Sequence, residues 1–395
     1  LSLKIGFFTD SYLPYTSGVV RSIETFSSEL QAQGHEIFIF APDYPNNQGR
    51  LDENRVFRFP SIPAPTYHDF ALAVPFSIRL WPTLKKIGLD LIHVHSPFLL
   101  GSLGSYSAKK LNIPLVFTFH TLYDKYAFYL PLGNNFAQKI TKKYCTDFCN
   151  HCDSVIVPTG IIGEQLREWG VTTEIKALPT GIDIDSFRIE EKNWLYQKYN
   201  IDPSVRLIIS VSRLGKEKNF PFVLKSFKKI NEAFPNTKLI LVGDGPEKDA
   251  LVKLAEQLGV SEKVVFTGKL PKEDVIKAYN SAHIFIFASI TETQGLVVGE
   301  AKAAGLPTVA VKAYGISEMI QDGVDGFLTN LDNDEFTDKV NLLLNDNNLR
   351  FAMSQNALQN SEEISAKNLT QKLIQHYFEV IKRYNKKDLR LPNLS

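Results

Sequence analysis

Apolar and polar positions along the chain follow one repeated rhythm. A short aliphatic and aromatic run is followed by a polar loop, and then by a stretch with apolar residues three and four apart. KIGFF, EIFIFAP, LDLIHV, IPLVFTF and SVIV are such runs in the first half, and VRLIISV, TKLILV, VVFTG, HIFIFAS and PTVAV in the second. Short unbroken apolar runs suit strands covered on both faces, and the spaced stretches between them suit helices. Strands alternating with helices predict an α/β fold of parallel sheets with crossover helices, in two Rossmann-like domains. The most informative stretch is 283–311. There HIFIFAS reads as a strand, LVVGEAKAAG as a helix with Gly305 at its C-terminal cap, and Pro307 opens the next strand. In such sheets ligands bind at the carboxyl ends of the strands. The loop at that end holds Glu292, Thr293, Gln294 and Gly295 ahead of Leu296. A carboxylate thus stands beside backbone N–H groups at a helix N-terminus, which suit phosphate. Glu300, eight positions on, shares its helical face with Leu296 and Val297. A carboxylate on a half-apolar face needs a donor, and sugar hydroxyls would serve. The plainer alternative is a dipole-stabilising Glu292 and a solvated Glu300.

The first strand leads through a loop to an amphipathic helix that Ser17 or Thr16 can cap, with Gly18 allowing close backbone approach and Arg21 one turn in. Residues 43–86 read as irregular. Within them, YHDFALAVPFSIRLWPTLKK interleaves aromatic, aliphatic and basic residues, as a membrane interface with Arg79, Trp81, Lys85 and Lys86 near headgroups would require. A long loop and helix packed on the domain's own edge is the alternative. His93 and His95 share one face of their strand, so a metal is conceivable, but no third and fourth ligand follow at the usual spacing. Cys145, Cys149 and Cys152 fall on one face of the helix NNFAQKITKKYCTDFCNHC, as core cysteines do, rather than splayed for a cluster. The same helix has a basic side at Lys139, Lys142 and Lys143. In the second half, Arg213 and Lys218 follow a strand and could clamp a diphosphate. Gly243 and Gly245 open a strand-to-helix turn with Pro246 starting the helix, and the backbone of Gly268, Lys269 and Leu270 forms a further turn. Asp183 and Asp185 sit in PTGIDID, where Asp183 is expected to cap the turn rather than hold a metal.

A chain of 395 residues that is 44% hydrophobic can bury a core in more than one domain. The net charge of +1, from 44 basic and 43 acidic residues, offers no argument for nucleic acid. The N-terminal run lacks the pattern of a signal peptide, and no apolar run approaches the ~18 residues of a membrane span. Three cysteines make no disulfide framework. A cytoplasmic protein, on the inner face of the membrane at most, is expected.

FTDSYLP with SGV, SRLGKEKN, GDGP and ETQGLVVGEA, in that order, together resemble the retaining GT-B glycosyltransferases of family 4, in their R-x4-K, G-x-G-P and E-x7-E elements. PTGID and DGVDGFL fit the same pattern, and HSPFLLG with FTFHTLYDKYAFY is similar to the members that glycosylate diacylglycerol. The resemblance spans nearly the whole chain and departs at Gln294, where many members have Phe. It implies a GT-B fold with an interdomain cleft. The boundaries would be 1–182 for an acceptor-side domain, 183–368 for a nucleotide-sugar domain and 369–395 for a helix returning to the first. It also assigns roles. Arg213 and Lys218 bind the leaving diphosphate, helped by the amides of Gly18 and of Thr293 to Leu296. Glu300 holds ribose and Glu292 with His120 the sugar, while Gly243, Gly245 and Gly268 to Leu270 lie near the nucleotide. Arg21 and His95 face the acceptor, and His93 packs the strand end. Transfer would proceed with retention, needing no metal or other cofactor. The implied partners are a nucleotide sugar such as UDP-glucose, a lipid acceptor such as diacylglycerol, and an anionic membrane. A soluble sugar or polysaccharide glycosyltransferase using UDP-glucose or GDP-mannose, a nucleotide-sugar epimerase, and a non-catalytic sugar-nucleotide binder are the alternatives.

Overall fold

The computed structural model describes residues 1–44, 55–64, 67–123 and 134–388. Positions 45–54 and 65–66 of the segment expected to be irregular lie outside these, as does the family-like aromatic run beyond Tyr123. The chain forms two compact units: Leu1–Gly181 with Ala366–Ser395, and Ile182–Ser365.

The first unit is built on a seven-stranded parallel sheet. Its strands are β1 (Lys4–Phe8), β2 (Glu36–Pro42), β3 (Val56–Phe59), β6 (Leu91–Val94), β7 (Leu115–Thr118), β8 (Ser154–Val157) and β9 (Ile175–Ala177), in the order β3-β2-β1-β6-β7-β8-β9. β6, β7 and β8 are buried along their whole length, which is why they read as unbroken apolar runs. An antiparallel pair, β4 (Ser61–Ala64) and β5 (Tyr67–Ala73), joins this unit, and a helix Leu80–Ile87 follows. The described part of the segment 43–86 is therefore largely regular. Short strands interrupted by Pro60 and Pro63 give no periodic signal long enough to detect.

The helix Ala366–Asp388 belongs to the first unit and packs on the helix Gly18–Ala32. Leu369, Leu373, Tyr377 and Val380 form its buried stripe. Polar contacts fix it further. The Tyr377 hydroxyl lies 2.6 Å from His93 Nδ1, His376 Nε2 lies 2.9 Å from Ser154 Oγ, and Arg383 pairs with Glu174. A Cβ on Gly181 would stand 2.4 Å from Ala366 Cα, so the two ends of this unit's sequence gap lie side by side.

The second unit carries a six-stranded parallel sheet. Its strands are β10 (Arg206–Val211), β11 (Thr237–Val242), β12 (Val264–Gly268), β13 (Ile284–Phe287), β14 (Thr308–Val311) and β15 (Gly326–Thr329), in the order β12-β11-β10-β13-β14-β15. Hydrophobic cores lie on both faces, one around Phe227, Leu239 and Phe336 and the other around Leu207, Phe285 and Tyr279. In both sheets the strand order reverses beside the first strand, at β1/β6 and at β10/β13. Crevices for ligands form at such switch points.

Candidate functional site

The loops at the carboxyl ends of β10 and β13 meet across the second unit's switch point. The loop after β10 ends in a single 3-10 turn, Lys216–Lys218, and the loop after β13 carries Glu292. Lys218 Nζ and Glu292 Oε1 form an ion pair, with side chains 16% and 20% exposed. Residues 74 positions apart are thus brought into direct contact. Arg213 Nη2 donates to Glu217 Oε1 at 2.7 Å. The Glu217 side chain is almost fully buried, and its Oε2 has no hydrogen-bond partner among the described residues. Ser289 Oγ donates to the Glu217 carbonyl at 3.1 Å, tying the two loops together.

A third loop closes on these. Leu214 N donates to the Asp244 carbonyl at 2.9 Å, and Glu247 N donates to the Leu214 carbonyl at 3.0 Å. Gly243 has φ +138° and donates its N–H to the Gly268 carbonyl at 3.0 Å. A Cβ there would come within 1.9 Å of the Ser212 carbonyl oxygen, and one on Gly245 within 2.5 Å of the Leu214 carbonyl oxygen. Both glycines are needed because loop backbones touch where side chains would stand. Pro246 lies in the turn ahead of the helix Lys248–Gln257 rather than at its first position. Lys269 is exposed, while Leu270 packs on the core.

Gly295, in the left-handed region at φ +82°, caps the helix Leu296–Ala303. Gly315 N donates to the Glu292 carbonyl at 3.0 Å, fixing the approach to that helix. Gln294 and Glu300 are buried. Tyr279 Oη donates to Glu300 Oε2 at 3.0 Å, so the donor that this carboxylate requires comes in part from the protein. Arg213, Lys218, Glu292 and Glu300 all belong to this one unit, on the loops and helix around a single sheet end.

The first unit assembles its own cluster. Ser17 caps its helix by accepting from Val20 N at 3.3 Å, with Gly18 the first helical residue and Arg21 exposed one turn on. Asp10, buried, accepts from Leu100 N at 2.7 Å and from Ser96 Oγ at 2.6 Å, tying the loop after β1 to the loop after β6. Burial pushes its carboxyl up, with the Ser96 and backbone bonds opposing. His93 is held at both nitrogens, by the Tyr377 hydroxyl and by Thr118 Oγ1, each at 2.6 Å. His95 Nδ1 lies 3.0 Å from His120 Nε2. Burial holds all three imidazoles neutral: His93 and His95 sit well below the usual histidine range, and His120 is pushed down to about 3.

His95 has no exposed surface and lies against His120. Asp183 stands at the N-terminus of the short helix Ile184–Phe187, but its side chain makes no capping bond; its carbonyl accepts from Ser186. Among the described residues no group of three or more His, Cys, Asp or Glu is placed to hold a metal ion. Cys145, Cys149 and Cys152 are buried, and burial pushes the Cys149 thiol up to about 12 and the Cys152 thiol well above its ordinary value. Glu217, Tyr279, Ser289 and Asp10 carry the site without having been singled out in the sequence. Glu217 stands beside Lys218 and Asp10 within FTDSYLP, so both lay inside quoted motifs. Tyr279 gave no signal.

Comparison with known proteins identifies the family and the fold. The family described as Glycosyltransferase Family 4 matches residues 16–186, and that described as Glycosyl transferases group 1 matches 192–360. An alpha-monoglucosyldiacylglycerol synthase of Streptococcus pneumoniae is 34% identical over 82% of this chain and 75% of its own length. A protein of the same description from Acholeplasma laidlawii is 32% identical over 83% of this chain and 85% of its own. The solved structure of Anabaena Alr3699/HepE in complex with UDP superposes with a TM-score of 0.78 at 19% identity, covering 95% of this chain and 100% of that one. The two parallel-sheet units are those of the GT-B fold.

Proposed function

The chain belongs to the family 4 glycosyltransferases, and from that membership we propose that it transfers glucose from UDP-glucose to diacylglycerol, with retention at the anomeric carbon. The single observation that supports this best is the Lys218–Glu292 pair across the switch point, with Arg213 on the same loop as Lys218. In this reading the two cations exchange their carboxylates for the donor diphosphate and offset the charge that grows on it as it leaves. Glu292, released, accepts from sugar hydroxyls, and Glu300 accepts from the ribose. The amides from Thr293 to Leu296 and the turns at Gly243, Gly245 and Gly268 to Leu270 bound the nucleotide. In the first unit His120 meets the sugar, the Gly18 amide the diphosphate and Arg21 the acceptor. No metal is required, because cations and helix N-termini supply the positive potential. The leaving diphosphate departs and the acceptor attacks on the same face. The two curated relatives are named as alpha synthases, the outcome that retention gives from an alpha-linked donor.

A lipid acceptor asks for a membrane-facing surface, and the first unit offers apolar groups for one. Phe76 and Ile78 are 70% and 80% exposed, and Phe136 is 62% exposed. Trp81 meets Tyr106 edge-on, and Phe98 lies parallel to Tyr144, joining the helices Leu80–Ile87, Leu99–Leu111 and Asn134–His151. Lys85, Lys86, Lys109, Lys110, Lys139, Lys142 and Lys143 lie on these same helices. We propose that this face lies on anionic bilayers, aromatic rings at headgroup depth. Among the described residues no helix is long and apolar enough to cross a membrane.

Incubating the protein with UDP-glucose or GDP-mannose and either diacylglycerol vesicles or soluble sugars, with mass spectrometry of the products, decides the matter. Hexosylated diacylglycerol from UDP-glucose is expected. Transfer only to a soluble sugar would overturn the lipid assignment, and conversion of the donor without any acceptor would point to an epimerase.

A further inference from the structure

His95 is fully buried, and it touches the ring proposed to meet the sugar. Its ring is enclosed by Phe7, with centroids 4.6 Å apart, and by His93, with centroids 4.2 Å apart. The His95 and His120 rings lie within 19° of parallel with centroids 5.3 Å apart. That separation, with 3.0 Å between Nδ1 and Nε2, fits two imidazoles joined nitrogen to nitrogen nearly in a common plane rather than face to face. Such a bond needs one donor and one acceptor, and two neutral rings can divide those roles in two ways.

The other end of His95 breaks the tie. His95 Nε2 is buried and has no hydrogen-bond partner among the described residues. A bare ring nitrogen there leaves only a lone pair unsatisfied, whereas a protonated one would strand a donor, the costlier orphan. The proton of His95 therefore belongs on Nδ1, pointing at His120 Nε2. That nitrogen must accept, so the single proton of neutral His120 sits on Nδ1. We infer that His95 is a positioning residue that fixes both the ring plane and the tautomer of His120, so that His120 works as an Nδ1–H donor. This rests on the reading of His120 as a sugar contact, but the tautomer can be measured without it.

The full chain labelled with ¹⁵N at histidine gives the test, because two-bond and three-bond ring couplings distinguish the tautomers at neutral pH. Wild type is expected to show His120 protonated at Nδ1. In His95→Leu the lock is gone and His120 should shift toward the Nε2–H form common in free imidazoles, with kcat falling about tenfold as one oriented hydrogen bond is lost. In His95→Asn the amide can still donate from nearly the place of Nδ1, so the tautomer should be kept and most of the rate restored. A wild-type His120 protonated at Nε2 would overturn the inference at once, whatever becomes of the variants. So would an unchanged Nδ1–H signal in a folded His95→Leu protein. Full activity in His120→Ala would instead remove the sugar-contact reading and leave the tautomer result standing.

Discussion

At the scale of single residues, the site is a set of charges satisfied by one another. Lys218 faces Glu292 and Arg213 faces Glu217, so each cation is held in place before any ligand arrives. Replacing Arg213 or Lys218 by Ala should lower kcat by about 10²–10³-fold, as loss of one electrostatic donor does elsewhere; steady-state rates near wild type would remove the diphosphate role. Glu300→Gln keeps the shape of the side chain but would weaken its proposed bond to ribose hydroxyls, and nucleotide affinity by calorimetry should fall about tenfold. The buried histidines act on stability instead. His283, pushed down to about 4 by burial and by Arg206 and Arg350, is lowered in the folded state. The unfolded chain therefore takes up its proton first, so stability is present above the usual histidine pKa near 6.5 and is lost as pH falls from there toward about 4. Between pH 7 and 5 this one group should cost up to about 2 kcal/mol, and denaturant titrations of wild type and His283→Asn should differ in their pH slope by that amount. His120 loses its contribution in the same direction, whereas Asp10, raised by burial, acts in the opposite sense above its usual value.

At the scale of elements, three loops at neighbouring strand ends form the site, and their backbones are in contact. Gly243→Ala would put a methyl carbon against the Ser212 carbonyl at a φ of +138°. It should cost about 2–4 kcal/mol in a denaturant melt, combining a strained φ with overpacking, and weaken nucleotide binding as well. Tyr377→Phe removes the hydroxyl that meets His93 and should cost about 1–2 kcal/mol, because a buried ring nitrogen loses its partner. The strand-loop-helix passage at 283–311 was legible because a fully covered strand leaves an unbroken apolar run and Gly295 and Gly305 punctuate the helix. Arg213, Lys218, Glu292 and Glu300 were singled out through their spacing in two recognisable loops and the helix after the second. Tyr279 on Glu300 and His95 on His120 were not, since each pair meets only after distant segments pack, and no local period records such a meeting. β3, β4 and β5 were missed because short strands beside prolines resemble loops.

At the scale of the whole molecule, the two units differ in how the chain supplies them. Ile182–Ser365 is continuous, whereas the other unit takes Leu1–Gly181 and then waits for Ala366 onward. A fragment of residues 182–365 should therefore fold cooperatively and bind the nucleotide of the donor without transferring sugar. Circular dichroism and calorimetry would show this, and a fragment that aggregates or ignores nucleotide would mean that the site's three loops need more than their own sheet. The same division sets a schedule on the ribosome. The N-terminal sheet leaves the exit tunnel with the groove for its last helix vacant, and about 184 further residues must be made before that helix begins to emerge. At roughly 5–20 residues per second this is an interval of about 10–40 s. For that time the partners of Leu369, Leu373 and Tyr377 stay uncovered, so the nascent chain passes through a stage that a holdase chaperone is suited to shelter.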